Sequence, residues 1–171
     1  GLTDAEIQQP KEVGVSVIIP HLTFGSGYDK REEGLKRCIA SLNDCAIPIQ
    51  IIVKDENQSV PQKVNSAIAE CKYDLICFAA TDMIFEKNCL EIAVQEITES
   101  PNTGLLTLYS GEVSADKGNI CEHFLIKKEF ISHIGGKIFD EDFIHVGCDN
   151  YLYAQAKKLK AVRESKRAIV H

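Results

Sequence analysis

The stretch Val15-Ser-Val-Ile-Ile-Pro20 decides the class of fold. It is a β-branched, mostly apolar run ended by proline, which suits a strand covered on both faces in a parallel sheet. A glycine-containing loop, Phe24-Gly-Ser-Gly27, follows. In Arg31 to Cys45, Leu35, Cys38, Ile39 and Leu42 then recur at i, i+3, i+4 and i+7 and predict a helix laid on that sheet. Ile49 to Val53 reads as the next strand. Ser59 can cap a second helix, with Pro61 near its start and Val64, Ala67 and Ile68 as its inner face. Asp74-Leu-Ile-Cys-Phe-Ala-Ala80 predicts a third strand, and Glu86 to Ile97 a third helix. This βαβα alternation predicts an α/β domain with a mostly parallel central sheet flanked by helices.

The second half is less regular. Leu105 to Tyr109 and Ile120 to Ile126 read as strands, and Lys128 to Ile134 as a short helix ending on Gly135-Gly136, with Gly135 a natural left-handed cap. Phe139 to Val146 is an acidic loop, Gly147 to Leu159 is helical, and Ala168 to His171 is a short terminal strand. No internal repeat or linker interrupts the pattern. The expected division is a flexible N-terminal segment over 1–12 and one domain over 13–171.

The composition narrows the function. With 19 Lys and Arg against 25 Asp and Glu, the net charge is -6 and no basic stripe is present to neutralise a phosphate backbone, so nucleic acid is excluded as the expected partner. No apolar run approaches the roughly 20 residues that cross a bilayer. Gly1 to Lys11 carries no apolar signal core, so the expected location is the cytoplasm. The seven cysteines form no C-x-x-C pair and read as small core hydrophobes. His21, His123, His133 and His145 show no i, i+4 pairing, so they suggest no histidine metal site.

Four stretches together carry a resemblance. The first is Val15–Pro20 with Leu35-Lys-Arg-Cys-Ile-Ala-Ser-Leu42. Ile51-Ile-Val-Lys-Asp55 is the second, and Lys63-Val-Asn-Ser-Ala-Ile-Ala-Glu70 with Tyr73 to Phe78 and Asp82 is the third. The fourth is Gly135-Gly-Lys-Ile-Phe-Asp-Glu-Asp-Phe143 with Gly147-Cys-Asp149. In order and spacing they resemble the inverting family-2 glycosyltransferases with the GT-A fold, the nucleotide-diphospho-sugar transferase fold.

The resemblance implies a nucleotide diphosphate sugar donor and a glycan or other hydroxyl acceptor. It implies donor contacts at Pro20, Asp55, Asn65 and Asp82, and Mn2+ or Mg2+ held by Asp82 and His171. It also implies an acceptor side at Gly135, Gly136, Asp140 and Asp142, with Asp149 as general base. The chemistry asks for these residue types. Displacement at an anomeric carbon needs a base on one face, and on the other a hard cation on carboxylate and phosphate oxygens. The sequence departs from the pattern at Ala79 and Thr81, where further acids usually stand, and at Cys148, where glutamate usually precedes the base. The departures leave open a catalytically silent sugar-nucleotide-binding or scaffolding domain. A nucleotidyltransferase is the third reading, against which Pro20-His-Leu-Thr-Phe lacks a phosphate-binding Gly/Lys-rich loop.

Overall fold

A computed structural model describes residues 12–22, 27–55, 57–110, 122–143 and 147–171. Most of the N-terminal segment, Phe24, Gly25 and Ser26 of the first loop, Ile120 and Cys121 of the expected strand, and residues 144–146 of the acidic loop lie outside the described residues.

The described elements run β1 (Val15–Pro20), α1 (Tyr28–Ser41), β2 (Ile49–Lys54), α2 (Val60–Ala67), β3 (Leu75–Phe78), α3 (Cys89–Glu99), β4 (Leu105–Tyr109), β5 (Phe124–Lys127), α4 (Lys128–His133), α5 (Cys148–Lys158) and β6 (Val162–Ile169). The sheet order is β2-β1-β3-β5-β4-β6. β1 runs parallel to β2 and β3, and β4 runs parallel to β6; only β5 is reversed, antiparallel to both β3 and β4. The expected mostly parallel sheet is therefore present, and the carboxyl ends of β1, β2 and β3 share one edge.

Both faces of the sheet are covered, as the apolar run in β1 requires. Val15, Val17 and Ile19 pack with Cys38, Leu90, Leu106 and Leu125 beneath α1 and α3. Ile18 packs on the other face with Ile76, Phe124, Ile126 and Leu152 beneath α2, α4 and α5. Ser16, the polar member of the run, is fully buried and bonded at both ends: its Oγ donates to Gln50 Oε1 at 2.7 Å and accepts from the Tyr73 N–H. The cysteine reading holds for Cys38, Cys71, Cys77, Cys89 and Cys148, all buried, and none of the described cysteines is in a disulfide.

Local signals acted as expected at α2 and α4. Ser59 and Gln62 form a reciprocal capping box, with Pro61 inside the first turn. α4 ends in a Schellman pattern: the Gly136 N–H donates to Ile131 O and the Gly135 N–H to Ser132 O, with both glycines at positive φ.

Three expected elements are corrected. α1 begins at Tyr28, after Gly27 at φ 83°, and stops at Ser41 rather than Cys45. α3 begins at Cys89 rather than Glu86, because Phe85 bridges Val170 and the Glu86 N–H donates to Ile169 O, which holds that stretch extended. The terminal strand is Val162–Ile169 rather than Ala168 to His171. Its charged residues lie on a sheet edge and hide the apolar alternation.

Candidate functional site

The parallel register places Pro20 beside Lys54 and Ile18 beside Phe78, so the segments after β1, β2 and β3 emerge side by side. Ligands bind at this edge in open α/β sheets. Pro20, Asp55 and Asp82 therefore meet there as expected, with both acids exposed. The edge is cross-tied. Thr81 Oγ1 donates to Pro20 O at 3.0 Å, the His21 N–H donates to Lys54 O, and the buried Lys63 Nζ donates to His21 O at 2.9 Å. The His21 ring, 3% exposed, is 2.5 Å from Glu32 of α1.

Asp82 sits in a turn held from two sides. On one, Gly34 of α1 faces it, and an added Cβ would meet Asp82 Cα and Cβ in ordinary contact at 3.4 Å. On the other, the chain end is zipped to the same loop: the Ile84 and His171 main chains exchange two hydrogen bonds of 2.9 and 2.8 Å. The His171 backbone thus comes to within two residues of Asp82. Its ring is engaged elsewhere, with Nε2 3.0 Å from Glu86 Oε2. Among the described residues no three His, Cys, Asp or Glu side chains converge as a metal site.

His123 was set aside above for want of a paired histidine. It lies just before β5, and its carbonyl accepts from the Leu108 N–H at 2.9 Å. The ring is buried, its Nδ1 has no hydrogen-bond partner, and burial lowers its pKa to about 4 against the opposing pull of the Asp82 carboxylate. A single unpaired histidine gives no sequence signal, because only the order of strands brings it beside a residue about forty positions away.

A second cluster forms around the loop 135–143. Asn65, for which the resemblance implies a donor contact, is spent here. Its Oδ1 accepts from the Ile138 and Phe139 N–H groups at 2.9 and 3.1 Å, and its Nδ2 donates to Phe139 O at 2.7 Å and Glu141 Oε2 at 3.4 Å. Such a set uses both donors and both acceptor positions of one amide. Phe139 is pinned from below by Phe78 and Phe124, with ring centroids 5.3 and 5.8 Å away.

Asp140 shapes the turn by accepting from the Asp142 N–H at 2.9 Å. The Lys137 ammonium, 2.7 Å from Glu141, holds that carboxyl below its usual range. Gly135, Asp140 and Asp142 line a pocket of about 370 Å³ with Tyr151 of α5, so three of the four expected acceptor-side residues share a cavity. Gly136 is not in its lining. Asp149 stands half-buried in the first turn of α5, after Gly147 at φ 94°, with Oδ1 accepting from the Asn150 N–H at 2.9 Å.

No protein-family model and no curated protein matches the sequence. Solved structures do match. The mannosyltransferase PcManGT from Pyrobaculum calidifontis, in complex with GDP-Man and Mn2+, is similar over 94% of this chain and 57% of its own, with TM-score 0.66 and 14% identity. S. aureus TarS 1-349 in complex with UDP-GlcNAc is similar over 92% and 57%, with TM-score 0.70 and 11% identity. Glucosyl-3-phosphoglycerate synthase from Mycobacterium tuberculosis, in complex with Mn2+, UDP and glucosyl-3-phosphoglycerate, gives TM-score 0.64 and 11% identity over 89% and 69%. The chain thus spans less than two thirds of the first two. These likenesses establish the fold: it is the GT-A glycosyltransferase fold that the motifs implied.

Proposed function

We propose that the chain transfers a sugar, with inversion, from a nucleotide diphosphate sugar to a hydroxyl acceptor. The observation that carries this is the shared edge after β1, β2 and β3, where Pro20, Asp55 and Asp82 emerge together and the chain end is tied to the Asp82 loop. Its support from outside the chain is a fold shared with proteins solved with nucleotide sugars and Mn2+.

In this reading the donor lies across the edge, with Asp55 toward the nucleoside and Asp82 toward the diphosphate. Carboxylate and imidazole donors at that loop fit Mn2+ or Mg2+, and the orphaned nitrogen of His123 is consistent with a missing partner. A bound cation would offset the charge that builds on the departing diphosphate. Asp82 would hold it; His171, the second ligand the resemblance implies, is paired with Glu86 and would have to leave it to join. The pocket beside Asp140 and Asp142 takes the acceptor, positioned by the loop that Asn65 and Phe139 fix. Asp149 takes the proton of the attacking hydroxyl.

A second reading, a donor-binding domain without turnover, draws on the single acid left in Phe78-Ala-Ala-Thr-Asp82. One experiment separates the two. Melting is followed with UDP, GDP and their sugars, each with and without Mn2+, since a ligand selective for the folded state raises the midpoint by mass action; turnover is assayed in parallel. Asp82→Ala should abolish a metal-dependent shift, and Asp149→Asn should keep the shift and lose transfer. Normal transfer by Asp149→Asn refutes the base assignment, and shifts without any transfer favour the second reading.

A further inference from the structure

We propose that His123 is a nitrogen ligand for a divalent cation at the Asp82 site and makes that site prefer Mn2+ to Mg2+. The inference rests on the donor-site reading above.

The register supplies the geometry. Phe78 pairs with Phe124, and Thr107 pairs with the same Phe124 from the other side. One step further toward the ligand edge, His123 therefore falls between Ala79 of the β3 end and Leu108 of β4. Residues opposite one another in a ladder share a face. Ala79 and Leu108 both pack on the α1 and α3 face together with Phe85 and Val170, the very residues that bridge the Asp82 loop to the chain end. His123 thus shares the sheet face on which that loop packs, and the Asp82 carboxylate is near enough to act on its ring. His123 stands across the ladder from Ala79, in a strand end that carries one carboxylate where a hard cation would use more.

The ring is in a ligand's state. It is 6% exposed, and Nδ1 is sealed from solvent with no partner. Burying a polar nitrogen unpaired is costly and asks for a missing partner. His171 is less suited, because its Nε2 is paired with Glu86 at the surface. One imidazole beside one carboxylate, with the remaining positions left to phosphate oxygens and water, favours Mn2+ over Mg2+, which prefers oxygen throughout.

The test uses the metal-stripped protein with UDP. Mn2+ binding is titrated by electron paramagnetic resonance, and nitrogen coordination is read from the 14N modulation of the Mn2+ spin echo. His123→Gln and His123→Phe should each weaken Mn2+ at least about tenfold while leaving Mg2+ within about twofold. The 14N modulation should survive in His171→Ala and vanish in His123→Phe. Thermal melts check that each variant is folded, and the His171→Ala measurement needs no change at His123.

Wild-type Mn2+ affinity in both His123 variants, or loss of the 14N signal in His171→Ala alone, overturns the proposal. If Asp82→Asn abolishes Mn2+ binding while the His123 variants bind normally, only the His123 assignment fails. If Asp82→Asn leaves Mn2+ binding unchanged, the Asp82 metal site fails with it.

Discussion

Replacing Asn65 by alanine removes the clasp between α2 and the loop 135–143. The amide accepts from two main-chain N–H groups, those of Ile138 and Phe139, in residues only 2% exposed, and it donates to the Phe139 carbonyl. Truncation buries no less apolar surface, so the cost is almost wholly that of stranded polar groups. A buried donor without a partner costs about 1–3 kcal/mol. Two stranded donors, with some relief from water entering beside the half-buried Asn65, give a loss of about 2–4 kcal/mol. With a urea slope near 2 kcal/mol/M, the midpoint should fall by roughly 1–2 M at unchanged slope. Hydrogen exchange at the Ile138 and Phe139 amides should accelerate more than exchange in β1. Asn65→Asp should not rescue stability at neutral pH. It keeps the acceptor but aims an anionic oxygen at the Phe139 carbonyl and the Glu141 carboxylate, to which Nδ2 donates. A loss below about 0.5 kcal/mol for Asn65→Ala would refute this account of what holds the loop.

Further expectations can be checked on the same protein. Gly34→Ala should be neutral or stabilise by up to about 1 kcal/mol, since its Cβ would meet Asp82 at an ordinary contact and alanine suits a helix interior. Gly34→Leu should displace Asp82 and remove any Mn2+-dependent rise in melting midpoint; a retained rise would show that the close approach is unimportant. In metal-free buffer, His123 has a folded pKa of about 4 against an ordinary 6.5, so between these values the unfolded chain binds more protons and stability falls as the pH drops. The difference is on the order of 3 kcal/mol, and in a urea titration from pH 7 to 4 His123→Phe should flatten that part of the profile. Burial pushes the thiols of Cys38, Cys45 and Cys71 up to about 11 and that of Cys89 to about 12. Iodoacetamide at pH 8 should therefore label them at least about tenfold more slowly in native protein than in urea, as mapped by mass spectrometry.

How much of the fold the sequence discloses depends on whether a segment's cause is local. β1, β2 and the cap of α2 were legible because a β-branched apolar run and a serine just ahead of Pro61 are local facts. β6 was not. Its exposed Arg163, Glu164, Lys166 and Arg167 interrupt any alternation, and Ser165 breaks the period by accepting from the Arg167 and Ala168 N–H groups. The start of α3 was misplaced because residues paired to the chain end, more than eighty positions later, hold Phe85 and Glu86 extended. Nothing within Phe124–Lys127 announces that β5 runs against its neighbours.

The same division runs through the candidate site. Asp82 was singled out from its place after a buried strand, and Asp140 and Asp142 from their acidic loop. Asn65 was assigned from its neighbours in the chain, while its hydrogen-bond partners lie about seventy residues downstream. Gly34 and His123 have no sequence signal, since each gains its meaning from its place in the fold: one by lacking a side chain where α1 faces the Asp82 turn, the other by lying across the ladder from Ala79. The acids absent from Phe78-Ala-Ala-Thr-Asp82 and the unpaired ring opposite them are therefore connected. A strand end read alone shows a weakened site, whereas the same strand end within its sheet acquires a nitrogen donor from the reversed strand beside it. Direction matters here. A parallel strand in the place of β5 would arrive at this edge with its last residues, but the antiparallel one delivers the residue that precedes it.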